Sequence, residues 1–161
     1  MTARAFRVKR MNVMGPSPIS VVIANRGKSG RRTCRTLLEP EKDIRVVGEA
    51  ASGLDAVTAA ERFKPSIMLL DLGLFNGDGP ALLPVIRRKS PLTRVLLLTD
   101  RAPEAPTLDA LCHGARGYLE RGTLRTYLPR AVRAVGAGEA WVPRRMVTQI
   151  MARLARLSAS A

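Results

Sequence analysis

A chain of 161 residues, 46% hydrophobic and 25% charged, has the size and balance of one ordinary domain able to bury its own core. Its two cysteines, Cys34 and Cys112, have no metal-ligand spacing and make no disulfide framework, and no stretch reaches the roughly 18 apolar residues of a membrane-spanning helix. The charge is the unusual quantity: 27 Lys plus Arg against 13 Asp plus Glu leave +14, an excess that draws polyanions or an acidic protein surface without distinguishing them.

Residues 1–17 are basic through Arg4, Arg7, Lys9 and Arg10, lack the apolar segment of a secretory signal, and read as a disordered tail. The β-branched run from Ile19 to Ala24 predicts the first strand, closed by the polar turn Asn25, Arg26 and Gly27. A helix is expected from Ser29, with Gly30, Thr33, Cys34, Leu37 and Leu38 on one face and Pro40 as its stop. Gly27, Lys28 and Ser29 do not complete a phosphate-binding loop, because Val22 stands where that motif needs glycine. Arg45 to Ala50 predicts a second strand, and Ala56, Ala59, Ala60 and Phe63 recur at helical spacing up to Pro65, small residues suited to close packing on a sheet.

The central stretch, Pro65 to Pro80, reads PSIMLLDLGLFNGDGP. Ile67 to Leu70 is the continuous apolar run of a strand buried on both faces, and Asp71 sits at its C-terminal end, where ligands bind in an open parallel sheet. Asn76 to Gly79 form a turn, and a helix is expected from about Pro80 to Arg88, weakened or kinked by Pro84. Thr93 to Thr99 predicts the fourth strand. Pro103 and Pro106 are expected to delay the next helix to Thr107, and Gly114 to stop it after His113, the one histidine. With no second ligand at metal-binding spacing, His113 reads as a helix-terminal side chain. Arg116 to Glu120 predicts a fifth strand. Thr123 is expected to cap a helix carrying Leu124, Leu128, Ala131, Val132 and Val135, with Pro129 inside it and Gly136 and Gly138 closing it. After Trp141, Val142 and Pro143, an amphipathic helix from Arg144 to Leu157 carries the stripe Val147, Ile150, Met151, Leu154 and Leu157. Strands alternating with helices imply an α/β fold: a five-stranded parallel sheet, helices on both faces, plus the terminal amphipathic helix.

With these residues in place, the segment from Ser20 to Leu157 resembles a response-regulator receiver, flavodoxin-like and CheY-like in fold, of the class usually followed by a LuxR-type helix-turn-helix. LLDLGLFNGDG is similar to the segment around the phospho-accepting aspartate, here Asp71. VLLLT is similar to the fourth strand, whose terminal hydroxyl, Thr99, contacts the phosphoryl group. HGARGYLERGT resembles the fifth-strand signature, with Tyr118 at the aromatic switch position, and GEAWVP resembles the connector after the fifth helix. The resemblance implies a receiver over residues 18–138 and a connector with its helix over 139–161.

Three departures bear on function. The two acids that the family places after its first strand to hold Mg²⁺ match Asn25 and Arg26, the phosphoryl-contacting lysine matches Arg121, and the chain stops where the helix-turn-helix would begin. Mg²⁺ wants hard oxygen ligands around a net-negative site, so its binding is expected to be weak or absent. Asp71 is expected to face Arg26 or Arg121 within salt-bridge reach, Arg26 standing in the metal's place and Asp100 sharing that pair. The leading expectation is a stand-alone, degenerate receiver, not an enzyme, acting in the cytoplasm through a histidine kinase or another regulator, with homodimerisation through the terminal helix as one route. An orthodox phospho-acceptor at Asp71 is the second. A DNA-binding transcription regulator using its basic surface is the third, with nucleic-acid contact expected to be non-specific because aromatic residues for stacking are only 4%. No membrane role is expected.

Overall fold

The computed structural model describes residues 17–75, 81–100 and 104–160 and arranges them around a five-stranded parallel sheet. In chain order the elements are β1 (Ile19–Ala24), α1 (Lys28–Leu38), β2 (Ile44–Ala50), α2 (Gly53–Phe63), β3 (Ile67–Asp71), α3 (Leu82–Lys89), β4 (Arg94–Thr99), α4 (Glu104–Cys112), β5 (Gly117–Glu120), α5 (Leu124–Gly136) and α6 (Arg144–Ala159). Single 3-10 turns, Leu72–Phe75 and Arg121–Thr123, follow β3 and β5. The basic tail predicted for residues 1–17 lies, but for Ser17, outside the described residues, as do the turn from Asn76 to Pro80 and Pro103.

The strand order is β2-β1-β3-β4-β5, with β3 in the centre. Successive side chains point to opposite faces, and both faces are covered, which is why the strands read as unbroken apolar runs. Val21, Ile23, Ile67, Leu69, Leu96 and Leu98 pack under α1 and α5. Val22, Ala24, Met68, Leu70 and Leu97 pack under α2, α3 and α4. Ala56, Ala59 and Ala60 of α2 are buried as their spacing predicts. Phe63, assigned to the same face, is 38% exposed. Its ring lies over Gly48, where a Cβ would stand 2.7 Å from it, beside the bulge at which β2 slips against β1.

Two proline expectations are corrected. α3 begins at Leu82, so Pro84 falls in its first turn, where the missing N–H has no carbonyl partner to lose, and no kink follows. Pro106 holds the equivalent place in α4, which therefore starts at Glu104 and not at Thr107. Pro129 does lie inside α5. Thr123 does not cap that helix with its side chain; its hydroxyl donates to the Glu120 carbonyl at 2.7 Å, within the 3-10 turn.

The terminal helix divides its apolar arc between two tasks. Met146, absent from the predicted stripe, is buried with Tyr118 and Leu111, and Ile150 packs partly against the same core. Arg153 pairs with Asp109 of α4. Val147, Met151, Leu154 and Leu157 stay exposed, Met151 at 63%. The preceding connector is joined to the sheet: Trp141 bridges Gly117, its carbonyl accepting from the Tyr118 N–H at 3.1 Å and its N–H donating to the Arg116 carbonyl at 3.0 Å.

Candidate functional site

The strand order reverses direction at β1 and β3, so the loops after these two strands diverge and leave a crevice at their C-terminal ends. Asp71, the last residue of β3, and Asn25, the first after β1, meet there, each 4% exposed. Asp71 Oδ1 accepts from the Gly73 N–H at 2.6 Å, the two-residue reach of an aspartate turn. Asp71 Oδ2 accepts from Asn25 Nδ2 at 3.1 Å and from Arg121 Nη2. The orientation of the Asn25 amide is dictated from both sides, because its Oδ1 accepts from the Gly27 N–H at 2.8 Å. Gly30 makes room for that amide, since a Cβ at position 30 would overlap it.

Arg121 reaches the site from the 3-10 turn after β5 and is shared, its Nε lying 3.0 Å from Asp100 Oδ1. Of the two arginines expected opposite Asp71, Arg121 takes the carboxylate, while Arg26 Nη2 donates to the Gly73 carbonyl at 3.2 Å. Asp100 joins Arg121 and not Arg26, and its side chain is 81% exposed. Arg31, which the sequence reading passed over, secures the β1–α1 turn by donating to the Asn25 carbonyl at 2.6 Å while its Nε lies 3.2 Å from Glu49. The cleft in front of Asp71 has a volume of about 580 Å³ and is lined by Ser29, Thr33 and Cys34 together with Arg26 and Arg121. Burial pushes the Cys34 thiol up to about 11, with Arg121 pulling against that shift.

These donors do not suit Mg²⁺. Both Asp71 oxygens are taken by the chain's own N–H groups, Asn25 presents its amide nitrogen to the carboxylate, and two guanidiniums stand where the cation's charge would fall. Among the described residues no group of three His, Cys, Asp or Glu side chains converges as a metal site.

Thr99 and Tyr118 lie on the sheet face covered by α4. Thr99 ends β4 with its hydroxyl buried and unpaired among the described residues, one residue beyond Leu98, which pairs with Asp71 in the sheet register. Tyr118 is turned inward against Leu97, Ala110 and Met146, its hydroxyl likewise unpaired. Burial raises its pKa above the usual phenol value, with Arg145 opposing and Glu120 reinforcing the shift. Thr107 of α4 adds a third unpaired buried hydroxyl.

Residues 21–133 match the response regulator receiver domain. The chain belongs to that family. The receiver is 34% identical over 124 residues to the DNA-binding transcriptional activator DevR/DosR of Mycobacterium tuberculosis, covering 77% of this chain and 57% of that one. Among solved structures, the signal receiver domain of the response regulator NarL from Mycobacterium tuberculosis shares 29% identity at a TM-score of 0.71, over 77% of this chain and all of that one. A LuxR-family two-component response regulator from Aurantimonas shares 25% at 0.74, over 86% and 99%. The receiver spans about half the length of the curated relatives it matches. Its place in two-component signalling and its CheY-like fold follow from these matches, and among the described residues no helix is long and apolar enough to cross a membrane.

Proposed function

We propose that this receiver is degenerate at its acidic pocket and signals by protein interaction, with Arg121 standing as a built-in countercharge to Asp71. One observation carries the reading: the Asp71 carboxylate is held by Arg121, Asn25 and the Gly73 N–H together. Phosphoryl transfer to a carboxylate needs that oxygen free as nucleophile and cationic stabilisation of the transferring group, and an arginine already committed to the nucleophile serves the first need badly. A histidine kinase or another regulator is the partner expected in the cytoplasm, and the exposed Val147, Met151, Leu154 and Leu157 offer a surface for it or for a second copy.

The test is exposure to acetyl phosphate and Mg²⁺ followed by intact-mass analysis. The wild type should stay unmodified, and Asn25→Asp, Arg26→Asp, Arg121→Lys in combination should gain a phosphoryl adduct that Asp71→Asn abolishes. An adduct on wild-type Asp71 would favour the orthodox phospho-acceptor, which the unpaired Thr99 hydroxyl beside the strand end supports. The DNA-binding activator among the relatives and the +14 charge support a third reading, transcriptional control through nucleic-acid contact. Duplex binding through Lys and Arg alone would be sequence-independent and steeply salt-dependent, whereas a hundredfold sequence preference would favour that third reading.

A further inference from the structure

At the opposite edge of the sheet from Asp71, three arginines from three elements line one small cleft of about 160 Å³: Arg87 near the end of α3, Arg94 opening β4, and Arg116 just before β5. None of the three forms an ion pair with a described carboxylate, whereas Arg31 and Arg35 pair with Glu49 and Arg133 with Glu41 and Asp43. Gathering like charges without a counterion is unfavourable, and the fold fixes two of the three. Arg94 Nη1 donates to the Gly136 carbonyl at 3.1 Å. Arg87 lies across Gly114, whose φ of +108° demands glycine and whose missing Cβ is the space the guanidinium fills.

We propose that Arg87, Arg94 and Arg116 form a binding site for a phosphate monoester. Guanidiniums present planar forks of N–H donors that match the oxygens of a tetrahedral oxyanion, and three of them supply the charge a dianion needs. The cleft's volume admits one phosphoryl group and little more. Pro91 and Leu92 lie on one side of an otherwise polar lining, and Leu92 is 89% exposed, so the organic part of an ester has an apolar side chain to cover that a free ion would leave wet. A nucleic-acid backbone would call instead for a row of such sites. The site lies far from the acidic pocket and does not depend on how Asp71 is used.

The experiment titrates the full chain, at low ionic strength, with phenyl phosphate and separately with inorganic phosphate, following amide NMR shifts. The expected result is saturable one-to-one binding that moves residues 92–94 and 113–117, at least fivefold tighter for phenyl phosphate than for the bare ion. Arg94→Gln and Arg116→Gln should each weaken it at least tenfold, Arg116→Gln without shifting the melting temperature, while Arg125→Gln, an equal loss of charge on exposed α5, should leave it unchanged. Equal affinity for both probes would overturn the ester assignment. Equal weakening by Arg125→Gln, shifts confined to Asn25–Lys28, or binding only to duplex DNA would overturn the site.

Discussion

Asn25→Asp is the sharpest probe of the pocket, because it changes one side-chain nitrogen to oxygen and leaves shape intact. The new carboxylate keeps the hydrogen bond from the Gly27 N–H but loses the one it donated to Asp71 Oδ2 over 3.1 Å. Losing a hydrogen bond to a charged group costs about 1.5–3 kcal/mol, and like charges 4 Å apart repel by about 4 kcal/mol at an effective dielectric constant of 20. Arg121, already on the same oxygen, offsets part of this, so a net destabilisation of about 3 kcal/mol at neutral pH is expected, which for a chain of this size lowers the melting temperature by roughly 6–12 °C. The sign of the pH dependence follows. Two adjacent carboxylates raise the folded-state pKa of one of them, so the folded state binds more protons than the unfolded, and the loss should shrink as pH falls through that raised value. Thermal melts of wild type and variant between about pH 5 and 8 measure it. A variant as stable as wild type throughout, with no divergence toward high pH, would refute the engaged-carboxylate picture.

Two further expectations concern the rest of the molecule. Met146→Ala should cost about 2–3 kcal/mol by opening a cavity beside Tyr118, whereas Leu154→Glu, on the exposed part of the same helix, should change monomer stability by less than about 0.5 kcal/mol; denaturant midpoints compare them, and equal costs would mean that α6 docks in a different phase. Cys34, with its thiol pushed up to about 11 by burial, should resist alkylation at pH 8 in the folded protein while the half-buried Cys112 reacts first, which peptide mapping after brief labelling would decide.

The parallel sheet was legible because every central strand is a continuous apolar run, a pattern that survives any choice of neighbours; its register was not. The prolines were misjudged because a proline's effect depends on which turn of the helix it occupies, and helix starts are set by packing that a local pattern does not contain. The pocket was legible as a set of residues but not as a wiring diagram. Arg26 and Arg121 are equally basic, and only the paths of the β1–α1 and β5–α5 turns decide that one meets a carbonyl and the other a carboxylate. Gly73 carried a signal in its two-residue offset from Asp71. Met146 carried none, since the apolar arc of α6 is wider than the strip it buries. The arginines 87, 94 and 116 are unremarkable in sequence and become a group only when α3, β4 and β5 align their ends.

The parallel bridge between Gly117 and Trp141 makes the connector a lateral extension of the sheet beside β5 and not a tether. A side chain at 117 would collide with the Trp141 carbonyl, so glycine there is the condition for this attachment. Trp141 is clamped to the backbone on both sides, at Arg116 and at Tyr118, and α6 begins three residues later. Mechanically, α6 is fastened at two places: to the fifth strand through the connector and to α4 through Arg153 and Asp109. A displacement of Tyr118 would therefore be felt first at the Met146 end of α6, where the two side chains share one core.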